Sequence, residues 1–403
     1  MKKHELLNKG LFTIFILVVF TLGKNIFLPG VDPTQFENSY ETSFSSYVLS
    51  LVTGGNLSLP TIFALGIGPY MTSLMIWQLL PLIDKDINKR MSEKRRGTYQ
   101  KILTLFFACF QGFFTFQTMT AQFPTTGNIL TWRIQIVNVF VLIAGAMFIT
   151  WLADMNVRKG LGGATILIVP GLLFNLPSIL HNFGGQKIHF SLLAGVIGWI
   201  IVLFLAWVGV FLNHSELRIN VQRTGLDNDF ANSYIPIKAI PAGSMPLMFA
   251  LTIFTIPQYL LMAKLQYSSP SILTKFLSFE SWQGVLIYAS LMILLGICFA
   301  YVNVRPSDIA KDLKESGDYV LGYLPGDATE QMLNKHLLFM TAIGNIFFVC
   351  ITVVPLVVGL WVPMVRPLSF LMSSVIILVT IIDTFIEEVR TIWERRHYSI
   401  FKL

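Results

Sequence analysis

The sequence predicts an all-α, multi-pass membrane protein of ten transmembrane helices, and three observations carry that prediction. First, 54% of the 403 residues are hydrophobic and only 13% are charged, against about 25% charged in an ordinary soluble domain. Such a chain has too few charges to clothe an aqueous surface. Second, the charges are bunched, leaving uncharged stretches such as Ile102 to Pro124, long enough for the roughly 20 residues a helix needs to cross a bilayer. Third, the basic residues sort to alternate loops, as they do in membrane proteins of fixed orientation.

Taken in order, the first apolar run, Leu11 to Gly23, follows a basic stretch carrying Lys2, Lys3 and Lys9. That resembles a secretory signal peptide, but no small-residue cleavage site follows and Ile26-Phe27-Leu28 continues apolar, so a retained first span is expected. The second region opens on Gly54-Gly55, then Pro60, Gly66, Gly68 and Pro69. These residues break a simple helix into a short piece and a full span, and a half-helix at membrane depth survives only where protein shields it. All ten spans fall roughly at residues 8–28, 60–82, 99–121, 133–154, 160–180, 190–212, 244–263, 283–304, 336–358 and 365–387. An even count puts both termini on one side. With the N-terminus inside, only Lys24, Arg133, Lys187, Lys264, Lys275 and Arg366 of the 29 Lys and Arg residues lie outside, so the termini are expected to be cytoplasmic. The spans divide into residues 1–186 and 187–403, five in each. Because five is odd, two similar halves would insert with opposite orientation. Two long polar loops, Asn213 to Gly243 and Arg305 to Lys335, are candidate docking surfaces on the cytoplasmic side.

The spans are almost bare of ionisable groups, which are costly inside a bilayer and mark proton or ion pathways. Asp154, Asp383, Glu387 and Glu388 lie at predicted span ends and are read as helix-terminal or headgroup residues. A secondary transporter of inverted five-helix repeats would share the span count, but no carboxylate falls near a midplane. An intramembrane hydrolase needs a nucleophile with a base beside it, and no His or Asp accompanies the span serines at depth. No catalytic residue is therefore assigned. The six histidines lack metal-ligand spacing, and Cys109, Cys298 and Cys350 sit far apart in apolar runs, where a thiol behaves as a small buried hydrophobe. No metal or cofactor is expected, and Leu161-Gly162-Gly163 lacks the lysine of a phosphate-cradling loop. The net charge of +7 is spread over short loops instead of forming one patch, which argues against nucleic acid.

Several motifs, in order, carry a resemblance. Thr61-Ile-Phe-Ala-Leu-Gly-Ile-Gly-Pro-Tyr70, running on to Trp77-Gln-Leu-Leu80, resembles the second-span motif of SecY, the channel subunit of the Sec translocase. Leu28-Pro-Gly-Val-Asp32, Arg96-Gly-Thr-Tyr-Gln100, Lys159-Gly-Leu-Gly-Gly163, Ile235-Pro-Ile-Lys238, Ala242-Gly-Ser-Met-Pro246, Pro306 to Lys314 and Leu324-Pro-Gly326 extend it over nearly the whole chain. The resemblance implies two inverted five-helix halves around a central pore. Gly54 to Ala64, beginning Gly54, Gly55, Asn56, Leu57, Ser58, Leu59 and Pro60, would be the plug. The pore ring would fall on Met71, Met75, Ile168, Leu172, Met245, Met248, Ile376 and Val379, and spans two and three against seven and eight would form a lateral gate. The long loops, with Arg218, Arg223, Lys311, Lys314 and Leu324, would dock the SecA-type motor ATPase. Leu324 stands where the family usually carries an arginine, and Leu217-Arg218 replaces a usual arginine pair. These departures make the chain resemble the accessory Sec branch of Gram-positive bacteria. That implies a location in the plasma membrane, in contact with lipid, and a dedicated SecA-type motor with small SecE- and SecG-like membrane subunits. The passengers implied are secretory preproteins, glycosylated serine-rich adhesins.

Overall fold

The computed structural model describes residues 3–29, 54–55, 60–84, 91–122, 132–173, 192–223, 233–265, 276, 278–362 and 366–394. The apolar runs become α1 (Lys3–Gly23), α2 (Gly68–Ile83), α3 (Glu93–Gln122), α4 (Trp132–Lys159), α5 (Leu192–His214), α6 (Met245–Leu265) and α7 (Trp282–Val304). A short polar helix α8 (Pro306–Ser316) follows, then α9 (Asp327–Trp361) and α10 (Arg366–Glu394). Between α4 and α5 the described chain turns through a 3₁₀ segment, Thr165–Leu167, into helical residues 168–173. Among the described residues α1, α4, α7, α9 and α10 are long and apolar enough to cross a membrane. Prolines sit where their missing N–H does least harm, as at Pro69 in the first turn of α2, while Pro81, Pro257 and Pro355 interrupt the interiors of α2, α6 and α9.

One large cluster of buried apolar side chains joins α1, α2, α4, residues 164–172, α6, α7, α9 and α10. Aromatic contacts tie its parts together. Phe254 of α6 lies 4.4 Å from Phe279, which in turn meets Tyr288 of α7 at 5.5 Å and Phe370 of α10 at 5.3 Å. A smaller cluster joins Leu28, Ala64 and Leu65 to α3 and α4.

The all-α expectation misses a small sheet. Strands β1 (Glu216–Gln222), β2 (Ser233–Lys238) and β3 (Tyr319–Val320) form an antiparallel sheet in the order β2-β1-β3. The β1–β2 register runs from Glu216 opposite Lys238 to Val221 opposite Ser233, and β3 adds at Val221 and Gln222. Alternate residues face inward, as a strand requires: Leu217, Ile219, Val221, Ile235 and Ile237 pack with Ala310 of α8 and Leu333 and Leu337 of α9. The two long loops are thereby one folded platform seated on α8, α9 and the end of α7. Arg305, the one non-glycine residue with positive φ (48°) among the described residues, makes the corner between α7 and α8.

Candidate functional site

The Gly-Pro region before α2 is built by close backbone approach. Gly54 (φ +63°) lies against Ile168, and a Cβ on Gly171 would strike the backbone of Gly54. Only glycine permits both the left-handed backbone and that contact. The following residues are pinned to the end of α1, where Leu28 N–H donates to the Pro60 carbonyl at 2.8 Å and Ile62 N–H to the Ile26 carbonyl at 2.9 Å. Phe63 is held between Phe20 of α1 and Phe148 of α4, at 6.1 and 5.9 Å. Where the sequence suggests a half-helix, the described part of 54–64 is a bend at Gly54-Gly55 and, from Thr61, a series of tight turns, with Ala64 N–H donating to the Thr61 carbonyl at 3.1 Å. Asn56, Leu57, Ser58 and Leu59 lie outside the described residues.

Of the expected ring, Met71, Met75, Ile168, Leu172, Met248 and Ile376 are each at most 6% exposed and belong to the one large cluster. Met245 packs half-buried against it. Val379 is half-buried and outside the cluster, beside the α10 face that carries Ile376, Ile377 and Ile381. Around these residues α3 packs on α6, and α2 packs on both α6 and α7. Hydrogen bonds join α2 to α3: Ser73 and Thr104 hydroxyls lie 2.6 Å apart, and the Gln111 amide donates to Thr72 at 3.3 Å. Those bonds make α2 and α3 one body.

The expected docking residues lie on the platform or beside it. Arg218 donates to Glu216 at 2.7 Å and stacks over Tyr234 at 4.7 Å. The hydrogen bond to Glu216, then the neighbouring Tyr234, raise its pKa above the ordinary guanidinium value. Arg223 reaches Asp318 at 3.9 Å, joining β1 to the turn before β3. Lys311 pairs with Glu315 one turn along α8 at 3.7 Å, and Lys314 lies beside Gly326. Leu324 is 78% exposed, next to exposed Leu321 and Tyr323. The structure thus presents an apolar knob on a polar platform.

Residues read in the sequence as span ends do more than that. Asp154 of α4 pairs with Lys101 of α3 at 3.0 Å. On α10, Asp383 accepts from Asn213 of α5 at 2.9 Å, Glu387 from Lys238 of β2 at 2.9 Å, and Glu388 from the Gly162 backbone N–H at 2.7 Å. Asn156, fully buried and unremarked in the sequence, donates to the carbonyls of Leu161 (2.9 Å) and Gly163 (2.6 Å) and accepts from Thr13 at 3.0 Å. It fastens the glycine loop to α1 and α4. The expected burial of the cysteines is corrected: Cys109 and Cys350 are exposed on the bundle surface and Cys298 is half-buried. An apolar run facing lipid reads in sequence like one facing a core. Among the described residues no three His, Cys, Asp or Glu side chains converge as a metal site requires.

Comparison with known proteins adds the following. The SecY family model matches residues 61–386. The accessory Sec system protein translocase subunit SecY2 of Streptococcus agalactiae is 30% identical, over 100% of this chain and 97% of that protein. The protein of the same name from Leuconostoc gelidum is 28% identical, over 98% and 97%. Among solved structures, one described as a protein conducting channel superposes with a TM-score of 0.65 at 17% identity, covering 99% of this chain and 95% of that one. That last likeness speaks to fold.

Proposed function

The chain belongs to the SecY family, and from that membership we propose that it is the protein-conducting channel of an accessory Sec export system in a bacterial plasma membrane. The observation that carries the proposal is end-to-end similarity to accessory-system channel subunits, with Phe63, Ile67 and Tyr70 of the second-span motif in the buried centre of the bundle. Two five-helix halves, 1–186 and 187–403, enclose the path, with both termini cytoplasmic.

The ring at Met71, Met75, Ile168, Leu172, Met245, Met248, Ile376 and Val379 closes that path. Apolar side chains at a constriction exclude water and ions, yet part around a polypeptide. Methionine, flexible and polarizable, conforms to passengers of varied shape. Gly54 to Ala64 seals the resting state. The α2–α3 body separates from α6 and α7 to admit a signal sequence to lipid. A SecA-type motor docks on the platform through Arg218, Arg223, Lys311, Lys314 and Leu324 and supplies the energy, and SecE- and SecG-like subunits complete the channel. Leu324, exposed where an arginine is usual, suits a dedicated motor and the export of serine-rich glycoprotein adhesins.

The test places a single cysteine at Met75 or Met248 in a chain with Cys109, Cys298 and Cys350 replaced. An arrested secretory passenger is expected to crosslink to both positions and not to a cysteine at exposed Phe140. Engagement of the passenger without a crosslink at either methionine would remove the pore assignment.

A further inference from the structure

Neighbouring residues on a helix point about 100° apart, so an adjacent pair of acids reaches two different elements. Glu387 and Glu388 do so across the whole molecule. Glu387 Oε1 accepts from Lys238 Nζ, at the last residue of β2, at 2.9 Å. Glu388 Oε2 accepts from the backbone N–H of Gly162 at 2.7 Å. The chain on the far side of Gly162 is stiff. Gly162 and Gly163 hold left-handed conformations (φ +76° and +60°), and Asn156 and Thr13 bind the same loop. From there the chain passes through Thr165–Leu167 straight to Ile168 and Leu172.

We infer that Glu387 and Glu388 are a coupling pair, through which displacement of the docking sheet is passed to the helix start that carries Ile168 and Leu172. The inference rests on the channel reading above and adds to it a route from docking surface to pore. The two links differ in strength. Lys238 and Glu387 are each nearly half exposed (45% and 48%), and an exposed ion pair is weak and easily exchanged. Glu388 is half-buried and bonds a fixed backbone donor with its charge, which makes a strong link. A shift of the sheet on docking is therefore passed to the end of α10 through the Lys238 link, the weaker of the two. Glu388 then carries the movement of α10 to the glycine loop. Among the described residues the neighbouring charges on α10 have partners of their own: Arg390 is bound to Glu394 at 2.6 Å, and Asp383 is bound by Asn213 with His214 at 3.8 Å.

The experiment reconstitutes the full-length channel in proteoliposomes with the SecA-type ATPase of the same organism and a secretory preprotein. Motor affinity and the translocation rate at saturating motor are measured separately. Lys238→Glu and Glu387→Lys are each expected to lower the saturating rate by about fivefold or more, with motor affinity within about twofold, and the double exchange to restore the rate. Glu388→Ala is expected to lose a similar factor that the exchange does not rescue, with Glu388→Gln, which keeps a neutral acceptor, falling between. Single variants at the wild-type rate, an exchange without rescue, or a loss explained wholly by motor affinity would each overturn the coupling role. A wild-type channel that moves no passenger would instead strike the channel reading.

Discussion

Gly171→Leu is expected to unseat the 54–67 segment and leave the resting bundle permeable to ions. A side chain at 171 meets the Gly54 backbone from its first carbon outward, and backbone, unlike the end of a flexible side chain, has no rotamer to retreat into. Overpacking of this kind costs about 1–3 kcal/mol when neighbours can shift, and here the neighbour is a glycine already committed to a left-handed conformation. Relief is available in one direction, by lifting Gly54-Gly55 away from residues 168–171. Conductance across planar bilayers without motor or passenger should rise well above wild type, with Gly171→Ala intermediate. A folded Gly171→Leu protein with wild-type resting conductance would remove the sealing role proposed for this segment.

Asn156→Leu is expected to lower stability by about 2–4 kcal/mol, read as a drop in thermal unfolding temperature in detergent. The substitution is close to isosteric but strands the carbonyls of Leu161 and Gly163 and removes an acceptor from Thr13. Leu161 and Thr13 are buried and have no water to turn to, while Gly163 is partly exposed. Asn156→Asp should cost at least as much, since it puts a carboxylate in a buried site against the two carbonyl oxygens. The loss should appear in the resting protein with no partner added, which separates it from the coupling variants on α10. Equal unfolding temperatures for Asn156→Leu and wild type would show that the glycine loop is held by something other than this side chain.

The helices were legible because a bilayer imposes a length and an apolar composition that no other solvent demands, and the turn before α2 because Gly and Pro are concentrated there. The sheet was not read from the sequence, though a trace of it is there. Leu217, Ile219 and Val221 alternate with polar residues, as do Ile235 and Ile237, yet the strands lie in charged loops and β3 has only two residues. Their partners are set by a fold that joins two loops about a hundred residues apart, and no local pattern encodes that. The roles of Asp383, Glu387 and Glu388 were hidden for the same reason. A carboxylate at the end of an apolar run looks alike whether it faces water or reaches a backbone N–H 226 residues away. Lipid-facing and core-facing positions were also confounded, so the cysteines were placed inside, while Met71, Met75 and Met248 were singled out by motif and not by periodicity.

One proline in the platform limits how that surface could pair with another chain. Pro236 lies in β2, an edge strand of the sheet, opposite Arg218 in the β1 register, and it has no N–H to offer an incoming strand. Zipping a foreign segment onto this rim, from a second copy or from an unfolded cargo waiting nearby, would meet a gap in the ladder at its middle. Recognition at this rim is thereby diverted from main chain to side chains, which suits the docking role proposed for the platform.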